Sequence, residues 1–154
     1  MRRISAMVLV VVTVFLLIGG IIFITTDRQT ASADIKPHHA TAAAEKTERV
    51  LKRNLAAVNA GDVNAYLQTI VPAQRAKTKA AVQQGLTKRQ ATVKLRSFTV
   101  QKQEKQQLVA KIDELQQTRG QTGQQVLEAN VEFVQQQGVW YIKKMVVYNA
   151  VKNG

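Results

Sequence analysis

Carboxylates are the groups through which this chain could do chemistry, because the other usual groups are missing. There is no cysteine, which removes thiol nucleophiles, thiolate metal sites, disulfides and lipid attachment through sulfur. The two histidines, His38 and His39, are adjacent. A metal ion needs further ligands and none lies near the pair, so both read as solvated linker residues. Past residue 60 the acids are Asp62, a helix cap, and Glu104, Asp113, Glu114, Glu128 and Glu132, on strands or turns. A general base must meet its proton in a sheltered pocket. Neighbours on a strand point to opposite faces, so one of Asp113 and Glu114 faces inward. Glu128 and Glu132 lie opposite the apolar members of their strand. There is no G-x-S-x-G, Walker A, H-E-x-x-H or Rossmann fingerprint. The expectation is a protein with no catalytic residue, metal or cofactor.

The most unusual local feature is electrostatic. The chain holds 22 Lys and Arg against 10 Asp and Glu. Beyond residue 33 it keeps 19 basic and 9 acidic side chains, a bias that favours polyanionic partners. No acid falls between Asp62 and Glu104, whereas Arg75, Lys77, Lys79, Lys88, Arg89, Lys94, Arg96 and Lys102 all do. The first seven of these form a candidate patch for an anionic partner: wall polymer, lipid head groups or DNA. Phe98 is the sole aromatic interleaved with them, and single-strand binders need stacking platforms, so nucleic acid is disfavoured. Tyr66, Phe133, Trp140 and Tyr148 are candidates to line an apolar pocket, with core packing as the other reading.

Several elements must position these groups. Val50, Leu51, Leu55 and Val58 recur at helical spacing within 43–60, with Glu45 and Glu48 early and Lys52 and Arg53 later, in line with the helix dipole. Gly61 offers a C-terminal stop and Asp62 an N-cap. Val63, Tyr66, Leu67 and Ile70 mark a short second helix ended by Pro72. The spacing predicts a third, Ala-rich helix over 73–84, closed by Gly85.

After Thr87 the period changes. Leu95, Phe98 and Val100 belong to a strand over 93–101, and their broken alternation predicts a bulge. Leu108, Ala110 and Ile112 alternate in a second strand reaching about Gln117. A turn covers 119–123. Leu127, Ala129, Val131 and Phe133 alternate in a third, and 139–151 is the fourth. A two-residue turn at Gln137-Gly138 sets Phe133 opposite Ile142 and Glu132 opposite Lys143. The same register puts Trp140 and Tyr148 on the face of Phe133. It also brings Lys144 onto that apolar face opposite Val131, so a bulge near Lys143-Lys144 is expected.

Three helices before four antiparallel strands make an α+β domain, with the helices on one face of a curved sheet. The run Leu55-Ala56-Ala57-Val58-Asn59-Ala60-Gly61-Asp62-Val63-Asn64-Ala65-Tyr66-Leu67 resembles the helix–Gly-Asp–helix opening of nuclear transport factor 2-like (SnoaL-like) domains. The ending, Val131-Glu132-Phe133 through Gly138-Val139-Trp140-Tyr141-Ile142, resembles their last hairpin. The resemblance covers about residues 43–151. It implies a cone of helices over the sheet. It leaves activity open, because that fold hosts enzymes, binding modules and scaffolds. Enzymes of this kind carry an acid or a histidine inside the cone, and this chain has no histidine there.

Ahead of the domain, Met1-Arg2-Arg3 precedes an uncharged run, Ile4 to Thr26. As a helix of 23 residues it spans roughly 34 Å, enough for a hydrocarbon core of about 30 Å. The two arginines place its N-terminus in the cytoplasm and the remainder outside. Residues 1–26 therefore read as a transmembrane signal anchor, 27–42 as a flexible linker containing Pro37, and 43–154 as an extracytoplasmic domain. Ala31-Ser32-Ala33 offers the alternative of a secreted protein cleaved at Ala33. The leading functional reading is a non-catalytic, membrane-anchored interaction module of a bacterial envelope that binds a protein or an anionic envelope component. The layout also resembles small assembly subunits of type IV secretion and conjugation machines, and a small-ligand pocket protein is a third reading. Pairing of two copies through the sheet is open.

Overall fold

Thr41 caps the first described helix by accepting a hydrogen bond from the Ala44 N–H at 3.1 Å, which satisfies one of the free donors of a helix start. The computed structural model describes residues 41–153; the segments expected to form an anchor (1–26) and, for all but its last two residues, a linker (27–42) lie outside them. Among the described residues no helix is long and apolar enough to cross a membrane.

Helix α1 (Ala42–Ala60) ends at Gly61, whose φ of 69° is left-handed, a conformation glycine adopts without strain. The Gly61 N–H donates to the Val58 carbonyl at 3.1 Å and the Asp62 N–H to that of Ala57 at 3.0 Å. Asp62 then caps α2 (Val63–Thr69) by accepting from the Ala65 N–H at 2.9 Å. Pro72 opens α3 (Pro72–Thr87), where its missing N–H costs nothing.

Here the structure corrects one expectation. Gly85 does not close α3, which runs two residues further to a cap at Lys88. Mid-helix glycine costs about 1 kcal/mol relative to Ala, and burial of Leu86 just after it offsets that cost by holding the last turn against the core.

The strands are β1 (Ala91–Gln103), β2 (Gln107–Thr118), β3 (Gln124–Gln136) and β4 (Val139–Asn153), in the order β1-β2-β3-β4 and antiparallel throughout. In β1 the pairing skips Arg96 and Gln101, so the broken alternation of Leu95, Phe98 and Val100 is indeed a pair of bulges. At the last hairpin Gln137 and Gly138 both have positive φ, 51° and 80°, as a type I′ turn demands. Phe133 faces Ile142, and then Lys143 is skipped so that Glu132 aligns with Lys144 and Val131 with Met145. The expected bulge is present: Lys143 and Lys144 are both exposed while Met145 is buried.

The helices cover one face of the sheet. Val50, Leu51, Leu55 and Val58 of α1 meet Leu108, Ala110 and Ile112 of β2 and Val131 and Phe133 of β3 in one core. Tyr66, Leu67 and Ile70 extend it from α2 and its end. Ile70 also bridges to Ile142, and the Val71 N–H donates to the Ile142 carbonyl at 3.2 Å. That segment covers part of the β4 edge, which would otherwise expose unpaired backbone groups.

Candidate functional site

The inward acid is Glu114. Leu108, Ala110, Ile112, Glu114 and Gln116 alternate on the buried face of β2, while Asp113 takes the other face. In register, Glu114 lies between Leu95 of β1 and Leu127 of β3. Its side chain is 1 % exposed and neither carboxylate oxygen has a hydrogen-bond partner. Removal from water disfavours the charged form, and burial pushes its pKa up to about 8. The Tyr66 hydroxyl and Gln116 Oε1 are also buried without a partner. Burial raises the Tyr66 phenol well above its ordinary value; the nearby Asn54 amide opposes the shift and Glu114 adds to it. Asn54 donates instead to Thr69 Oγ1 at 2.8 Å, and Thr69 donates to the Tyr66 carbonyl at 2.6 Å. This interior cluster can hold a proton near neutral pH. It contains no second acid and no histidine. Sequence reasoning left open which of Asp113 and Glu114 turns inward; extending the alternation from Leu108, Ala110 and Ile112 by one step selects Glu114.

Of the four aromatic candidates, three sit in the core: Tyr66, Phe133 and Trp140 are all buried. Phe133 packs on Phe98 with ring centroids 6.1 Å apart. Tyr148 is a correction. The bulge at Lys143 shifts the phase of β4, so that Met145 and Val147 face inward and Tyr148 outward; a second bulge, between Val147 opposite Ala129 and Asn149 opposite Glu128, then skips Tyr148 in the pairing. The ring turns to the outer face, 49 % exposed, with Lys111 Nζ 5.9 Å from its centroid.

The seven candidate cations differ in how free they are. Arg75 is drawn back onto the fold. Its Nε donates to the Ile70 carbonyl at 3.3 Å and its Nη2 to that of Gln68 at 3.2 Å. Its guanidinium lies 5.5 Å from the Tyr141 ring centroid. Arg89 is half-buried, with Nη1 enclosed and unpartnered. Lys77, Lys79 and Lys88 are exposed on α3 and its cap, and Lys94 and Arg96 on β1. Lys77 and Lys79 diverge by about 200° around their helix axis, and Arg96 sits at a bulge in β1.

A different basic surface is assembled between α1 and the last hairpin. Lys46, Arg49, Lys52 and Arg53 line an open groove of about 560 Å³ together with Val50, Gly138, Val139 and Trp140. Lys46, Arg49 and Arg53 follow i, i+3, i+7 spacing and so share one stripe of α1. Among the described residues the ion pair at this helix is Glu48 with Lys52, at 2.7 Å. Sequence reasoning missed the groove because its apolar side arrives from about 90 residues away along the chain. The stripe itself was legible in the helical spacing.

Helices over one face of a curved antiparallel sheet define the nuclear transport factor 2-like class, and similarity to solved structures shows the same fold. A Nostoc punctiforme protein of unknown function with a cystatin-like fold is 13 % identical with a TM-score of 0.56, covering 71 % of this chain and 93 % of that one. A nuclear transport factor 2-like protein of unknown function from Pseudomonas putida is likewise 13 % identical at a TM-score of 0.56, covering 68 % and 85 %. A Novosphingobium aromaticivorans protein provisionally described as a scytalone dehydratase is 10 % identical at 0.52, covering 73 % and 88 %. No curated protein matches the sequence. Residues 49–152 match the family described as the C-terminal domain of the anti-sigma-I factor RsgI9, and the chain belongs to that family.

Proposed function

We propose that this chain is a non-catalytic interaction module, anchored by residues 4–26 and presenting its domain outside the membrane, where it binds a protein or an anionic envelope component. Family membership supports a protein partner, since the family is named for an anti-sigma factor. The observation that carries the reading is uncompensated positive charge. Among the described residues, ion pairs engage only Lys52, Lys102, Lys111 and Lys143, which leaves Lys46, Arg49, Arg53, Lys77, Lys79 and Lys88 without a carboxylate. Such a field draws in anionic partners and speeds their encounter. Glu114 fits a non-catalytic reading because the cluster around it offers no second acid or base with which to shuttle a proton.

The test is topological. A phosphatase that folds only after export, fused behind Gly154, should be active and should sediment with membranes. Fusion protein that is inactive, or that remains in the soluble lysate, overturns the anchored, extracytoplasmic reading. The small-ligand reading keeps one observation in its favour, the buried, unpartnered acceptors of Glu114 and Gln116 on one face of β2.

A further inference from the structure

The groove between α1 and the β3–β4 hairpin joins two chemistries. One wall is the cationic stripe Lys46, Arg49 and Arg53, all three exposed. The other is apolar: Val139 is 47 % exposed at the hairpin, and Trp140 and Val50 lie below it. No acid lines the groove. Glu45 flanks the stripe without pairing to Arg49, and Glu48 is occupied by Lys52. Both walls belong to regular elements, α1 with capped ends and the hairpin with its type I′ turn. We infer that this groove is the docking site for an acidic peptide segment of a partner protein, one in which carboxylates alternate with large aliphatic side chains.

Charge and shape select that occupant. An extended strand projects alternate side chains to opposite sides, so a Glu/Leu alternation offers carboxylates to the stripe and leucines to the exposed Val139. A purely polar polyanion would leave the exposed Val139 unused. Arg49 and Arg53 can each grip a carboxylate through two parallel N–H bonds. The inference rests on the interaction-module reading and names the partner chemistry for it.

Trp140 is the sole tryptophan in the chain and reports on the groove by its fluorescence. Full-length protein in neutral detergent micelles is titrated with a capped nine-residue peptide alternating Glu and Leu, then with its Gln/Leu and Glu/Ser counterparts. Saturable binding of the Glu/Leu peptide with a shifted Trp140 emission is expected, weakened at least tenfold in both counterparts and weakened progressively by salt. The triple variant Lys46→Gln, Arg49→Gln, Arg53→Gln should lose at least tenfold in affinity, and Val139→Ser several-fold. Both leave buried positions intact, and circular dichroism confirms their fold. Neutralising Lys77, Lys79 and Lys88 instead should change affinity less than twofold. Equal affinity for the Glu/Ser peptide, unchanged binding by the triple variant, or a Trp140 response to phosphatidylglycerol vesicles but not to the peptide overturns the inference. Membrane topology is read separately by the phosphatase fusion, so failure of either reading is distinguishable from failure of the other.

Discussion

Asn59 and Val93 exchange two hydrogen bonds: the Val93 N–H donates to Asn59 Oδ1 at 2.9 Å, and the Asn59 amide donates to the Val93 carbonyl at 2.8 Å. A side-chain amide at the end of α1 thus stands in for a neighbouring strand at the free edge of β1. It ties the helix that carries the groove to the sheet. Asn59→Ala leaves both backbone groups of Val93 to water and should cost about 1–3 kcal/mol. Urea unfolding should show a lower midpoint with an unchanged slope. An unaltered midpoint would show that the pair contributes nothing to stability.

Glu114 makes the fold sensitive to pH. Its folded-state pKa of about 8 stands above the ordinary value of 4.5, so between those limits the folded protein holds a proton that the unfolded chain releases. Stability is then greatest at the acid end and falls as pH rises toward 8, by up to about 1.4 kcal/mol per pH unit from this group. Glu114→Gln removes the titration. Melting temperatures from pH 5 to 8.5 should decline in the parent more steeply than in the variant, with the variant the more stable at pH 8. Parallel curves would show that the carboxyl is not held protonated.

The hairpin turn has a conformational requirement rather than a packing one. At Gly138 φ is 80°, and a Cβ there would meet nothing within 4 Å. Gly138→Ala should therefore cost about 1–2 kcal/mol through left-handed strain alone. Gln137→Asn, which better tolerates the φ of 51° at that position, should raise the melting temperature. Calorimetry on the two variants checks both signs.

The Lys143 bulge of β4 separates aromatic residues that a simple register would place on one face. Trp140 is 5 % exposed and Tyr148 49 %. Trp140→Ala should cost about 3–5 kcal/mol, whereas Tyr148→Ala should stay near or below 1 kcal/mol. Comparable losses in chemical denaturation would mean that Tyr148 also belongs to the core.

Much of this architecture is written in local patterns. The Gly61-Asp62 punctuation, the alternation in β2 and β3 and the Gln137-Gly138 turn are short-range signals, because backbone conformation and side-chain period respond to neighbours along the chain. The misplaced Lys144 even announced its bulge, since an ammonium group cannot be buried against Val131 without a large desolvation cost. The outward turn of Tyr148 follows from that same bulge, because one extra residue at Lys143 reverses the face of every later position in β4.

By itself, then, the sequence determined the fold class, the order of elements, the absence of thiol chemistry and the excess of positive charge. Tertiary structure decided which charges stand together. It withdrew Arg75 onto the carbonyls of Gln68 and Ile70 and set the stripe of α1 beside Val139 and Trp140. It also sealed Glu114 between Leu95 and Leu127. The physical reason is range: periodicity reports which face a residue takes, but the neighbours on that face come from strands and helices far away in the chain. Long-range packing brings those neighbours together, and they fix whether a charge is paired, solvated or stripped of water.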